Sequence, residues 1–311
     1  MSTQPFIVPQ TARGQRRLLY LYGAVTQIEL KGFLEVASID SEERKQEIRA
    51  GWTSAAEAFK GIVGAEANFT DAPTVKELSR EDQVKAKVFM QSAEFRAGFS
   101  QYPCTFEQVD IDSLVASQRT VNLAHIEDLK MSVQSRGQGL FELCTAGNGG
   151  TAEFRIGRTA PNAYTGSSTN PNLRFLGAYE QPFRKEFVVG ELPGGTPVHT
   201  VVLVLGFGGT TANAFRVPSG RIILWNGFHR LIALRSLGIQ SVPLLIQHIT
   251  HPELEMPPVI ADLPRDYVVE SPRPALIKDF FNTSLTCEVT QMSFIKALQV
   301  SWGAAESHVP R

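Results

Sequence analysis

Between Thr196 and Thr250 the chain carries four arginines and three histidines in 55 consecutive residues, with no Asp, Glu or Lys among them. The whole chain is nearly neutral, thirty basic against thirty-one acidic side chains, so this cationic stretch is a local feature and any anion site it serves is local too. Its apolar patterning predicts a folded core. Val201-Val-Leu-Val-Leu205 predicts a buried strand, Phe215–Gly220 a strand end and turn, and Arg221–Trp225 a further strand. Asn226-Gly227 then opens a helix that buries Leu231, Ile232, Leu234 and Leu237 and stops at Gly238, with Val242–Ile246 returning as a strand.

Strand, Asn226-Gly227-Phe228-His229-Arg230, helix is the most informative arrangement. It puts His229 and Arg230 in a first helical turn, where unpaired N–H groups and the helix dipole already favour an anion. Basic residues there cost helix stability unless an anion sits in front of them. Gly227 lets the backbone approach that anion, and Arg230 can grip it through two parallel hydrogen bonds, which makes phosphate the natural candidate. The alternative is a turn whose histidine and arginine are satisfied by carboxylates from elsewhere in the fold.

The first hundred residues read as helices. Asp40 and Glu43 resemble a capping pair ahead of a helix from about Ser41 to Val63, and a second helical pattern runs from Arg80 to Phe99. This block, residues 1–105, suits packing or oligomerisation. From Phe106 a strand, the polar turn Ser117-Gln118-Arg119 and a helix capped by Asn122 and ended at Gly137 follow. Residues 146–196, rich in Gly, Asn, Pro, Ser and Thr, read as an insertion in a core spanning 106–250, and residues 251–311 as a carboxy-terminal appendage.

Leu224–Ile246, with Gly227-Phe228-His229-Arg230 at its centre, resembles the glycine-x-(His/Arg)-Arg box, helix and strand of the ParB/sulfiredoxin superfamily. Upstream, Val109–Leu114, Ser117-Gln118-Arg119 and Ile126–Gly137 are similar to that family's opening strand, Gln-x-Arg-like turn and first helix. The resemblance covers about 60 residues in two blocks. It implies an α+β fold, a ParB/sulfiredoxin-like mixed sheet with helices, here preceded by a helical block. It also implies a nucleotide, with or without Mg2+, as ligand, contacted through its phosphates by Gly227, His229 and Arg230, with Asn226 beside them.

Departures limit what the resemblance implies. Phe228 stands where sulfiredoxin-like enzymes carry a cysteine, which removes thiol chemistry. The proline-broken segment after Thr250 offers no helix-turn-helix region, and the absence of clustered Lys and Arg disfavours nucleic acid as a partner. If the chain hydrolyses or transfers phosphate, its base or metal-holding carboxylate must come from Asp110, Asp112, Glu127 or Asp128, or from the carboxy-terminal segment. The competing reading is a non-catalytic interaction or assembly module that meets a protein partner or a second copy through its amino-terminal helices.

Gly206–Thr211 lacks a P-loop ending and reads as a hairpin turn, and His248 and His251 have metal-ligand spacing only on a helix, which their neighbours do not predict; no metal site is assigned. Three scattered cysteines, no signal-like amino terminus and no apolar run near the roughly 20 residues of a membrane span predict a cytoplasmic protein.

Overall fold

In the computed structural model, which describes residues 14–36, 41–67, 69–137, 139–145, 154–168, 173–182, 199–207, 211–292 and 296–303, side-chain caps set most of the long helix starts. The order is β1 (Gln15–Tyr20), α1 (Gln27–Val36), α2 (Glu42–Ala65), β2 (Val75–Lys76), α3 (Arg80–Met90), α4 (Ala93–Phe99), β3 (Cys104–Asp110), β4 (Thr120–Asn122), α5 (Leu123–Arg136) and α6 (Leu140–Thr145). It continues with β5 (Phe154–Ala160), β6 (Ala163–Ser168), β7 (Leu173–Pro182), β8 (His199–Phe207), β9 (Asn213–Arg216), β10 (Ile222–Asn226), α7 (Phe228–Ser236) and β11 (Ser241–His248). Last come α8 (Pro252–Glu255), β12 (Val259–Ile260), β13 (Leu263–Pro264), α9 (Arg265–Glu270), β14 (Cys287–Met292) and β15 (Lys296–Ser301). The protein is α+β. Among the described residues no helix is long and apolar enough to cross a membrane.

Ser41, Ser79, Ser92 and Asn122 accept the N–H groups of Arg44, Asp82, Phe95 and His125 and start α2, α3, α4 and α5. The cap of α2 is therefore Ser41; Asp40 lies outside the described residues. The pattern read as one helix from Arg80 to Phe99 is two, because the Ser92 cap restarts it after Met90. Gly137, at φ 57, ends α5 as its sequence predicts.

The chain divides into two compact units, one of residues 14–148 and 209–293, the other of residues 1–13, 149–208 and 294–311. In the larger unit a five-stranded sheet runs β10-β9-β11-β3-β2, parallel only between β11 and β9. Leu224, Leu231, Leu234, Leu244, Ile246 and Val109, all fully buried, join the sheet and α7 in one core, to which Ile126 and Leu129 of α5 also belong. A second, antiparallel sheet runs β14-β1-β4. Here the all-helical reading of the first hundred residues is corrected: Gln15–Tyr20 is a strand, because its partners β14 and β4 supply hydrogen bonds that the segment cannot find locally.

The smaller unit pairs β15-β6-β5 in one antiparallel sheet and β7 with β8 in another, with Phe154 set edge-on against Phe207. Two further readings change. The described residues of 146–196, read as an insertion or long surface excursion with only short strand-like pieces, form strands of six to ten residues, whereas Ala146–Gly150 and Thr169–Pro171 lie outside the described residues. Val201 and Leu203, read as part of a buried strand, are 62% and 37% exposed, since β8 pairs with β7 in this unit rather than entering the five-stranded sheet.

Leu234, at 0% exposure, tests how the core depends on α7. Leu234→Ala should lower the unfolding free energy by about 2–5 kcal/mol, read from a chemical denaturation midpoint, whereas Val88→Ala on the exposed face of α3 should change it by no more than about 0.5 kcal/mol.

Candidate functional site

Strand β10 ends at Asn226, and the chain turns into α7 through Gly227 at φ 96, a left-handed conformation that L side chains avoid. The turn is also close-packed, because a Cβ on Gly227 would meet Ala212 Cβ at 2.7 Å. No side chain caps this helix. The N–H groups of Phe228, His229 and Arg230 have no acceptor among the described residues, and Leu231 is the first to bond back, to Gly227 O at 2.9 Å.

A second helix begins at the same place. Asn122 caps α5 by accepting from the His125 N–H at 3.3 Å, and its own N–H donates to His229 Nε2 at 3.0 Å. The rings of His125 and His229 meet edge-on with centroids 5.2 Å apart. Helices α1, α2, α3, α6, α8 and α9 all carry an acidic residue in the first turn, but α5 and α7 carry none. Two helix dipoles thus point their positive ends at one spot without a carboxylate of their own to offset them.

The side chains at that spot are less charged than the sequence implies. His229 accepts a hydrogen bond at Nε2, so the ring is neutral and its proton sits on Nδ1, where no described residue accepts it. Burial, with His125 and Arg16 adding positive charge, pushes its pKa down to about 3. Of the two cationic or donor side chains expected in this turn, Arg230 is the cation and His229 the neutral donor. Arg230 is 7% exposed, and Nη1 donates to Cys144 O at 3.1 Å. Among the described residues it has no carboxylate partner, and burial lowers its pKa from the ordinary arginine value. The same carbonyl accepts from Ala212 N at 2.7 Å, which ties α6, the lead into β9 and α7 together.

Other residues of the turn are committed to the scaffold. Asn226 Nδ2 donates to Thr211 O at 3.1 Å. Phe228 is buried and packs edge-on against Phe280 at 5.4 Å. Of the Gly206–Thr211 turn, residues 208–210 lie outside the described residues.

The four candidate carboxylates are dispersed. Asp110 Oδ1 accepts from Asp112 N at 2.9 Å, and Asp112 pairs with Arg235 in the last turn of α7, the end away from Gly227. Glu127 pairs with Lys130 on the solvent face of α5. Asp128 alone acts on the site, favouring protonation of His125. Arg119 of the Gln-x-Arg-like turn pairs with Glu29 at 2.6 Å and lies over the Tyr267 ring. His248 is on a strand and bonds Thr105 Oγ1 at 2.8 Å; among the described residues no group of His, Cys, Asp and Glu could hold a metal ion. A shallow depression lined by Val75, Leu78 and Thr105 lies by β2 and β3, the opposite side of the sheet from β10.

His125 was not legible as a site residue, because a single histidine on an amphipathic helix has no spacing to mark it, and only the meeting of α5 with α7 gives it neighbours. Compared with known proteins, the chain matches no protein-family model, no curated protein and no solved structure.

Gly227→Ala should cost about 1–3 kcal/mol of stability through its positive φ, with a further loss from the Ala212 contact, measured by thermal unfolding.

Proposed function

We propose that the larger unit binds a phosphate-bearing ligand, a nucleotide, at the meeting of α5 and α7, as the resemblance to the ParB/sulfiredoxin superfamily implies. The observation that carries this reading is Arg230: a buried cation with no carboxylate partner among the described residues, beside two helix N-termini. Such a charge is costly to bury and adverse to the helix dipole, and an anion relieves both penalties. The order strand β3, turn, α5, then β10, Gly227, α7, β11 also follows the resemblance.

Holding the ligand is better supported than turnover. Asp112 and Glu127 are engaged in ion pairs and Asp110 caps a turn, which leaves Asp128, of these four, as the carboxylate that acts on the site, through His125. A second reading, an assembly module, has its support in Val84 and Val88, one turn apart on α3 and 63% and 66% exposed.

Thermal unfolding with nucleoside mono-, di- and triphosphates, with and without Mg2+, tests the proposal. A ligand at about 100 times its Kd should add about 2.7 kcal/mol of stability. Arg230→Met should keep a cooperative transition without ligand and lose this shift. Wild-type protein unmoved by every nucleotide would sink the phosphate reading, and self-association in sedimentation would then favour assembly.

A further inference from the structure

A phosphoryl dianion at this site would meet one arginine and one neutral histidine. What stands opposite them is His125, in the first turn of α5, solvent-exposed, its ring 5.2 Å from His229 and its two ring nitrogens without a hydrogen-bond partner among the described residues. Its backbone is fixed by the Asn122 cap, which also holds His229. Among the described residues His125 is therefore the one donor at the meeting of the helices that is both positioned and open to gain a proton.

We infer that His125 contacts the bound anion and takes up a proton as a phosphoryl dianion binds, so that the site selects phosphate monoesters over monoanionic diesters. This rests on the phosphate reading of the same site. The groups around His125 set the linkage. From α5, Asp128 favours its protonation; from α7, Arg230 opposes it; from β1, Arg16 acts on His229, while Arg17 is paired with Glu288; β4 contributes Asn122 and no titratable group.

Packing around the ring lowers the His125 pKa below the usual histidine value, Asp128 pulls it up, and Arg230 adds to the lowering. A dianion cancels the Arg230 charge and attracts the proton, so the pKa is higher in the complex. The sign follows: the added affinity is fully present below the free-protein pKa and is lost as pH rises through the pKa of the complex. A rise of about one unit corresponds to about tenfold in affinity. His229 does not take part, since its Nε2 lone pair is committed to Asn122.

The test uses the full chain with two probes, sulfate, which stays dianionic from pH 5 to 8, and dimethyl phosphate, a monoanion. Histidine ring signals followed by NMR should show the His125 pKa raised by about one unit by sulfate and not by dimethyl phosphate, with His229 unprotonated throughout. Calorimetry should show sulfate affinity falling about tenfold as pH rises across that window, and His125→Gln, at an exposed position that the fold tolerates, should bind sulfate without pH dependence. Sulfate binding with an unmoved His125 pKa, or an unaltered pH profile in His125→Gln, overturns the inference and leaves the phosphate reading standing. No binding of any nucleotide or sulfate to the wild-type protein removes both.

Discussion

Four arginines in a stretch without a carboxylate can be held inside the larger unit only by acceptors brought from elsewhere along the chain, and much of the topology answers that need. Arg216 forms two hydrogen bonds with Glu107 of β3, Arg221 pairs with Asp71, and Arg235 forms two with Asp112. All three carboxylates precede α5 in sequence. Partly exposed pairs such as those of Arg216 and Arg235 contribute little singly, but the Arg221 side chain is 3% exposed, and loss of Asp71 would strand a buried charge at a cost of about 3–5 kcal/mol. The segment before α5 is thus joined by charge to β9, β10 and α7 as well as by apolar packing.

That pairing also separates Arg230 from its neighbours. Three of the four cations meet a carboxylate; the fourth meets the Cys144 carbonyl. A carbonyl satisfies one N–H of five and cannot balance the charge. The alternative of carboxylates drawn from elsewhere concerns the histidine and arginine of the turn; among the described residues such carboxylates meet Arg216, Arg221 and Arg235, and none meets Arg230.

Local signals were legible and distant ones were not. Asn122 as a cap, Gly137 as a stop, the Gly227 turn and the Leu237-Gly238-Ile239 ending of α7 all depend on bonds within a few residues, and Ile239 N returning to Leu234 O is one of them. Strand β1 depends on Gln15 facing Met292, a partner no local pattern announces. Burial of β8 differs from its sequence expectation for a related reason: β-branched composition predicts a strand but not which sheet it joins, and Val201 is left largely open. At the site, the residue types of the turn could be read from sequence, whereas the protonation state of His229 could not, because it is set by the Asn122 N–H from another element.

That single hydrogen bond explains how the larger unit tolerates so positive a location. Were His229 protonated, two cations would share the first turn of α7, facing two helix dipoles with no acid in either first turn. By donating to Nε2, Asn122 holds the ring neutral and leaves the proton on Nδ1 as a donor, and through Oδ1 it starts the helix that carries His125. One asparagine thus limits the fixed charge to Arg230 while preserving three kinds of donor: guanidinium, imidazole and backbone amide. A donor-rich, weakly charged site costs the fold less than a doubly charged one, and it can still gain a positive charge at His125 when an anion arrives to balance it.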